Sequence, residues 1–324
     1  MAEVTMAEAL NEALRRSLAT DDRVLVFGED IGRLGGVFRI TDKLQGEFGR
    51  ERVFDTPLAE SAIIGLSLGL ALYGYRPVAE IQFDGFVYPG FNQIVSHVAK
   101  HRYRSRGRAP VPMVVRIPFA GGIGAAEHHS ESPEAYFAHT AGLKVVVPST
   151  PLDAFDLLTQ SIADPDPVIF FEPKSRYWSK QQGELGSDSL PIGKARVVRD
   201  GDACTLISYG AMVTRCLETA AAASEDGVEV EVVDLRSLVP FDLATVVGSV
   251  AKTGRAVVVH EAPMTAGFGA EIVAQVAEEA FLSLEAPILR VTGYDTPYPP
   301  AKTEKYYVPS IDRILGAIDR VLKY

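Results

Sequence analysis

Short, unbroken runs of Val, Ile, Leu and Phe recur along this chain, and longer helix-compatible stretches separate them. "RVLVFGED", "RPVAEIQF", "VPMVVRIP", "LKVVVPS" and "PVIFFEP" come first, then "CTLISYG", "VEVEVVDL", "RAVVVHE" and "PILRVTG". A strand without polar alternation is covered on both faces, the condition of a parallel sheet flanked by helices. The stretches between carry helix signals. Thr5 with Glu8 forms a capping-box pattern ahead of a helix reaching about Thr20. "PGFNQIVSHVAKHRYRS" reads as one amphipathic helix, and "SIDRILGAIDRVLK" as the last. The alternation predicts an α/β protein with doubly wound sheets.

Between residues 174 and 202 the alternation lapses. "SKQQGELGSDSLPIG" is polar and rich in Gly, Ser and Gln, as suits a crossover. The chain therefore divides into two α/β domains, 1–190 with the crossover included and 191–324. Its 324 residues, 47% of them hydrophobic, are enough for two cores. A formal net charge of −10 argues against a nucleic-acid surface. Cys204 and Cys216 are too few for a disulfide framework and read as reduced thiols. "MAEVTMAEALNEALRR" has neither the apolar core of a signal peptide nor the acid-poor composition of a transit peptide. The longest apolar stretch, 62–75, contains three glycines and is short for a bilayer span. These features predict a soluble, cytoplasmic protein.

Four places carry candidate chemistry. In "DTPLAES", Glu60 heads the apolar run that follows. One reading is a first-turn carboxylate favoured by the helix dipole. The other is a carboxylate at the C-terminal edge of a parallel sheet, where open α/β folds bind ligands and apolar neighbours raise its pKa. In "HHSESPEAYFAHT", His128, His129 and His139 are either exposed histidines or proton-transfer groups, and zinc would need further ligands at fixed spacing. The basic run at 100–108, "KHRYRSRGR", is a solvated helix end or a contact for an acidic partner. "GRLGGVF" and "FAGGIGAAE" are glycine-rich, yet neither is a P-loop or a GxGxxG turn.

Taken together, these stretches resemble the β subunit of the thiamine-diphosphate-dependent 2-oxo acid dehydrogenases, the E1 component. The resemblance runs over the whole chain through "FGEDIGRLGGVFRIT", "VFDTPLAESAIIGLSLGLALYGYRPVAEIQF", "NQIVSHVAKHRYRSRG", "HHSESPEAYFAHTAGLKVVVPSTPLDA", "DPVIFFEPK" and "VVDLRSLVPFD". "AEIQF", "RYRSRG", "FFEPK" and "GYDTPYP" look more like the branched-chain members than the pyruvate or acetoin members.

The resemblance implies a pyrimidine-binding domain followed by a transketolase-type C-terminal domain. It implies an α2β2 heterotetramer in which the E1 α subunit supplies the diphosphate and Mg2+ ligands through a GDG…N motif, which this chain lacks. It implies acyl transfer to a lipoylated E2 partner. By the same resemblance Glu60 is the cofactor-activating glutamate, and Leu58, Gln82 and Phe86 line the pyrimidine site. His129 is the histidine that assists acyl transfer. Glu131 stands where the family usually has Gln, and Phe86 where many branched-chain members have Tyr. Backbone oxygens of Met113, Ser161, Ile162, Asp164 and Asp166 correspond to a monovalent-cation (K+) site. A reading of another class is a non-catalytic scaffold that docks E2.

Overall fold

The computed structural model describes residues 3–187 and 189–324; Asp188, inside the expected crossover, lies outside the described residues. The first half contributes strands β1 (Glu3–Thr5), β2 (Val24–Gly28), β3 (Val53–Asp55), β4 (Arg76–Glu80), β5 (Val114–Phe119), β6 (Lys144–Val146), β7 (Val168–Pro173) and β8 (Lys180–Gln182). The second contributes β9 (Arg196–Arg199), β10 (Cys204–Ser208), β11 (Val230–Asp234), β12 (Ser237–Val239), β13 (Ala256–Pro263) and β14 (Leu289–Gly293).

The larger sheet has seven strands in the order β12-β6-β7-β5-β4-β2-β3. It is parallel except for β12, which runs antiparallel to β6. The second sheet has the order β14-β13-β10-β11-β9, parallel except for β9. β2, β5, β7, β10 and β11 are buried along their whole length, which is why their sequences show no polar alternation. In each sheet the strand order reverses beside the first parallel strand, with later strands added on both sides of it. Such reversal points open a crevice at the carboxyl edge.

Helices Met6–Thr20 and Pro151–Ala163 cover one face of the larger sheet around Leu10, Leu14, Phe155 and Leu158. The Thr5–Glu8 capping box is formed as expected. The opposite face shares a continuous core with the second sheet, in which Ile64, Phe119, Phe171, Ile207, Val233 and Phe268 all take part. A third cluster, around Cys216, Ile314 and Ile318, seals the outer face of the second sheet. Both cysteines are free and buried, and burial pushes each thiol up to about 12.

Two features depart from the sequence reading. The helix expected over "PGFNQIVSHVAKHRYRS" runs unbroken over 91–104, but its middle, Gln93–Val98, is π-helical and is followed by the α-helix Ala99–Arg104, while Pro89 and Gly90 close a preceding 3-10 segment, Asp84–Gly90. The halves are also not separate sheets, because β12 from the second half extends the sheet of the first. Among the described residues no helix is long and apolar enough to cross a membrane.

Candidate active site

The carboxyl ends of β2, β3 and β4 bring together segments far apart in sequence. β2 runs into Glu29 and Asp30, β3 leads through residues 56–59 to Glu60, and β4 runs into Gln82. Glu60 is the first residue of the helix Glu60–Tyr73 and is 6% exposed. Its helix has no side-chain N-cap, so Glu60 is also the acidic group of the first turn. Glu29 lies beside it. Burial, then the charges of Glu60 and Asp30, push the Glu29 carboxyl above the usual range, and its Oε1 is buried without a partner among the described residues. Gln82 donates from Nε2 to Asp30 Oδ2 at 2.9 Å and to the Glu29 carbonyl at 3.3 Å, tying the end of β4 to the end of β2. Leu58 is 77% exposed, an apolar side chain with no cover from its own chain.

The segment Asp84–Gly90 packs over the start of the Glu60 helix. Ser61 Oγ donates to the Pro89 carbonyl, and a Cβ on Gly90 would lie 3.2 Å from the Glu60 carbonyl oxygen. The other side of this segment meets the loop carrying His129. That histidine ends a 3-10 turn, Glu127–His129. Its ring stacks on Phe83 with centroids 4.0 Å apart and 21° between planes, and Phe86 meets it edge-on at 5.0 Å. A Cβ on Gly85 would fall 2.1 Å from the His128 carbonyl oxygen, so only glycine permits this approach. Burial foremost, with the charges of His128 and Lys174 adding, lowers the His129 pKa from its ordinary value; its bond to the His128 carbonyl and the charge of Glu127 oppose.

Glu60, Gln82, Phe86 and His129 are therefore linked through one short segment, Asp84–Gly90 and its flanks. His139 stands apart, exposed at the end of the helix Glu134–Ala138. Glu29 lies within "FGED", and neither it nor Phe83, Asp84 and Lys174 stood out as a site residue in the sequence. An acidic residue immediately after a buried strand was the available signal for Glu29; nothing local marked the others.

The second domain reaches the same loop. The Gly121 N–H donates to Glu261 Oε2 at 3.1 Å and the Gly122 N–H to Glu304 Oε1 at 2.7 Å. Tyr298 donates to the same Glu304 oxygen at 2.7 Å. Tyr209 donates to Glu134 Oε1 at 2.7 Å, and burial pushes that carboxyl up to about 7.

Met113, Ser161, Ile162, Asp164 and Asp166 also converge, but at the opposite edge of the sheet. The carbonyls of Met113, Ser161, Ile162 and Asp164 already have protein donors. The Val168 N–H bonds the Met113 carbonyl, and the Asp164 N–H the Ser161 carbonyl. Arg76 Nη1 bonds the Ile162 and Asp164 carbonyls at 2.9 and 3.3 Å. Lys144 pairs with Asp164, Arg102 with Asp166 and Arg76 with Asp21, so the charge is balanced. An added cation would crowd the Arg76 guanidinium against like charge. These residues do not fit a cage awaiting a metal ion, and no step is routed through one.

The fold and the crevice at the carboxyl edge define a transketolase-type protein. Residues 2–179 match the transketolase pyrimidine-binding domain and residues 193–314 the transketolase C-terminal domain. A solved structure described as a split-gene transketolase, an inactive β4 tetramer, superposes with a TM-score of 0.81 at 22% identity, covering 99% of this chain and 98% of its own. Among curated proteins, the pyruvate dehydrogenase E1 component subunit β of Leifsonia xyli is 56% identical over 98% of this chain and 95% of its own. The 3-methyl-2-oxobutanoate dehydrogenase subunit β of Mycobacterium tuberculosis is 54% identical over 99% of this chain and 92% of its own. The 2-oxoisovalerate dehydrogenase subunit β of Pseudomonas aeruginosa is 48% identical over 99% and 95%. The chain belongs to the family of 2-oxo acid dehydrogenase E1 β subunits.

Proposed function

We propose that this chain is the β half of an α2β2 E1 enzyme that uses thiamine diphosphate to decarboxylate branched-chain 2-oxo acids and passes the acyl group to a lipoylated E2. The observation that carries the reading is Glu60. It is a nearly buried carboxylate at the head of an apolar helix, with no hydrogen bond to its carboxylate from the described residues and with the unpartnered Glu29 oxygen nearby. Two acidic groups crowded in a dry crevice suit a ligand nitrogen that shares a proton with one of them.

The donor set fits the pyrimidine end of thiamine diphosphate. Glu60 would face a ring nitrogen, with Leu58 and Phe86 as apolar contacts and Gln82 holding the Glu29 segment in place. The other end is left to a partner, because this chain lacks the GDG…N motif by which the family's α subunits hold Mg2+ and the diphosphate. The Mg2+ and diphosphate ligands are accordingly assigned to the α subunit. Bound thiamine diphosphate supplies the electron sink that amino-acid side chains lack. In this reading Glu60 holds and returns a proton at the ring nitrogen, and the apolar helix behind it excludes water. His129, whose pKa burial lowers from its ordinary value, exchanges a proton with the incoming lipoyl group.

Glu60→Gln in the reconstituted heterotetramer should keep assembly and lower decarboxylation about 10²–10⁴-fold, the range typical of a lost acid–base group. An assembled variant with wild-type rates would defeat the mechanism and leave the scaffold reading. Relatives named for pyruvate and for branched-chain acids are similarly close, so substrate rests on rates. Comparing kcat/KM for 3-methyl-2-oxobutanoate and pyruvate decides it, and a preference for pyruvate would overturn the branched-chain assignment.

A further inference from the structure

Asp84 belongs to none of the roles above, yet it sits where the two walls around His129 meet. Its carboxylate is fully buried and takes two donors, Lys174 Nζ on Oδ1 at 2.6 Å and the Glu131 N–H on Oδ2 at 2.8 Å. Lys174 follows the last residue of β7 and is 1% exposed. Burying both ions is costly, and such a pair is weak evidence for stability by itself. Its position is more telling. Phe83, the residue before Asp84, supplies the face on which His129 stacks, and Phe86, two residues after, supplies the edge. On the other side, Glu131 lies two residues beyond His129, and its N–H ends on the same Asp84 carboxylate. The Lys174 ammonium lies 6.0 Å from the centre of the Phe83 ring.

We propose that the buried Asp84–Lys174 pair is the positioning device for His129, joining the turn that supplies the phenyl walls to the loop that carries the imidazole. The inference rests on the transfer role proposed for His129. It predicts that loosening the pair harms acyl transfer more than decarboxylation. The geometry also predicts an electrostatic signature. The charged groups facing His129 are Lys174 from the end of β7 and His128 and Glu127 from its own turn. Removing the Lys174 cation should raise the His129 pKa.

Asp84→Asn and the double variant Asp84→Asn/Lys174→Met test this in the cofactor-loaded α2β2 enzyme. Lys174 and the Glu131 N–H end on different Asp84 oxygens, and asparagine replaces one of these with a donor NH2, so the single variant should lose tenfold or more in transfer to a lipoyl domain. Decarboxylation read with an artificial electron acceptor should fall less than threefold. The double variant strands no buried cation, so it should fold, but without the pair its transfer rate should stay reduced. It also keeps the test open if the single variant does not fold. The pH inflection that disappears in His129→Ala should move up in the double variant. Equal losses in both reactions, with the inflection unmoved, would overturn the proposal. Carbethoxylation of His129 by diethyl pyrocarbonate, read by peptide mass spectrometry, needs no turnover. At least threefold faster modification in Asp84→Asn supports positioning, and an unchanged rate overturns it. Normal transfer in His129→Ala would instead sink the functional reading, while the modification rates still decide the positioning.

Discussion

At the scale of single residues, the least expected group is Arg116, fully buried on β5. It forms a two-point pair with Glu172, through Nε at 2.6 Å and Nη2 at 2.9 Å, and meets Glu80 through Nη1 at 2.8 Å. Tyr177 donates to Glu172 at 2.7 Å. One cation thus serves two carboxylates, and Glu80 has the weaker share. Burial pushes the Glu80 carboxyl from its usual 4.5 up to about 7. Because the folded value lies above the unfolded one, the folded chain holds an extra proton between these two pH values. Its contribution to stability is complete below pH 4.5 and is lost as pH rises through 7. Glu80→Gln removes that dependence. Its Tm relative to the parent should therefore rise steadily from pH 5 to pH 8, as measured by scanning fluorimetry. A constant difference across that range would show that Glu80 stays ionised throughout.

At the scale of elements, the helix Glu60–Tyr73 is apolar all round, yet only part of it is covered. Ile63, Ile64, Ser67 and Ala71 face the core. Ala62, Gly65, Leu66, Gly69, Leu72 and Tyr73 are exposed. The spacing of these residues makes one stripe. A Cβ at Gly65 or Gly69 would meet nothing within 4 Å in this chain. An apolar stripe with small residues at its centre allows close approach of another helix, which fits the α2β2 assembly proposed above. Gly65→Leu/Gly69→Leu should leave the Tm of the isolated chain within about 2 °C, because no internal contact is disturbed. The same variant should weaken association with the α subunit tenfold or more by sedimentation analysis. Undiminished assembly would show that this face does not meet the partner.

At the scale of the whole molecule, the two halves are fastened at several points besides β12. Arg236 is buried and pairs with Asp153 of the first half at 2.8 Å. Its other nitrogens hold the crossover by the carbonyls of Lys194 at 2.8 Å and Leu190 at 3.2 Å. Ser149 bonds Asp234 across the same seam. Breaking a buried pair strands its partner and typically costs about 3–5 kcal/mol. Arg236→Met should accordingly lower Tm by about 5–10 °C. Since Glu261 and Glu304 hold the glycine loop that leads to His129, it should also reduce lipoyl transfer. A Tm within 2 °C of the parent would show that the seam is held elsewhere.

The sequence by itself determined the α/β class, because strands covered on both faces must be apolar throughout and helices must recur between them. It marked Glu60, because a charge ahead of an apolar helix is conspicuous, although two local readings stayed open until whole-chain resemblance separated them. Gln82 was legible only through that resemblance, which also singled out His129 from His128 and His139. Tertiary structure decided the rest. The π-helical segment at Gln93–Val98 sits inside a helix whose continuity was legible, since periodicity records which residues face the core and not which carbonyl each N–H will reach. β12 is three residues long and crosses between halves, too short for its own pattern to reveal a partner some 90 residues away. Asp84, Lys174 and Phe83 gained meaning only from distances, because an ion pair 90 residues apart leaves no trace in local spacing. The residue types were written in the chain, whereas the pairing of buried charges depends on which strand ends the fold brings side by side.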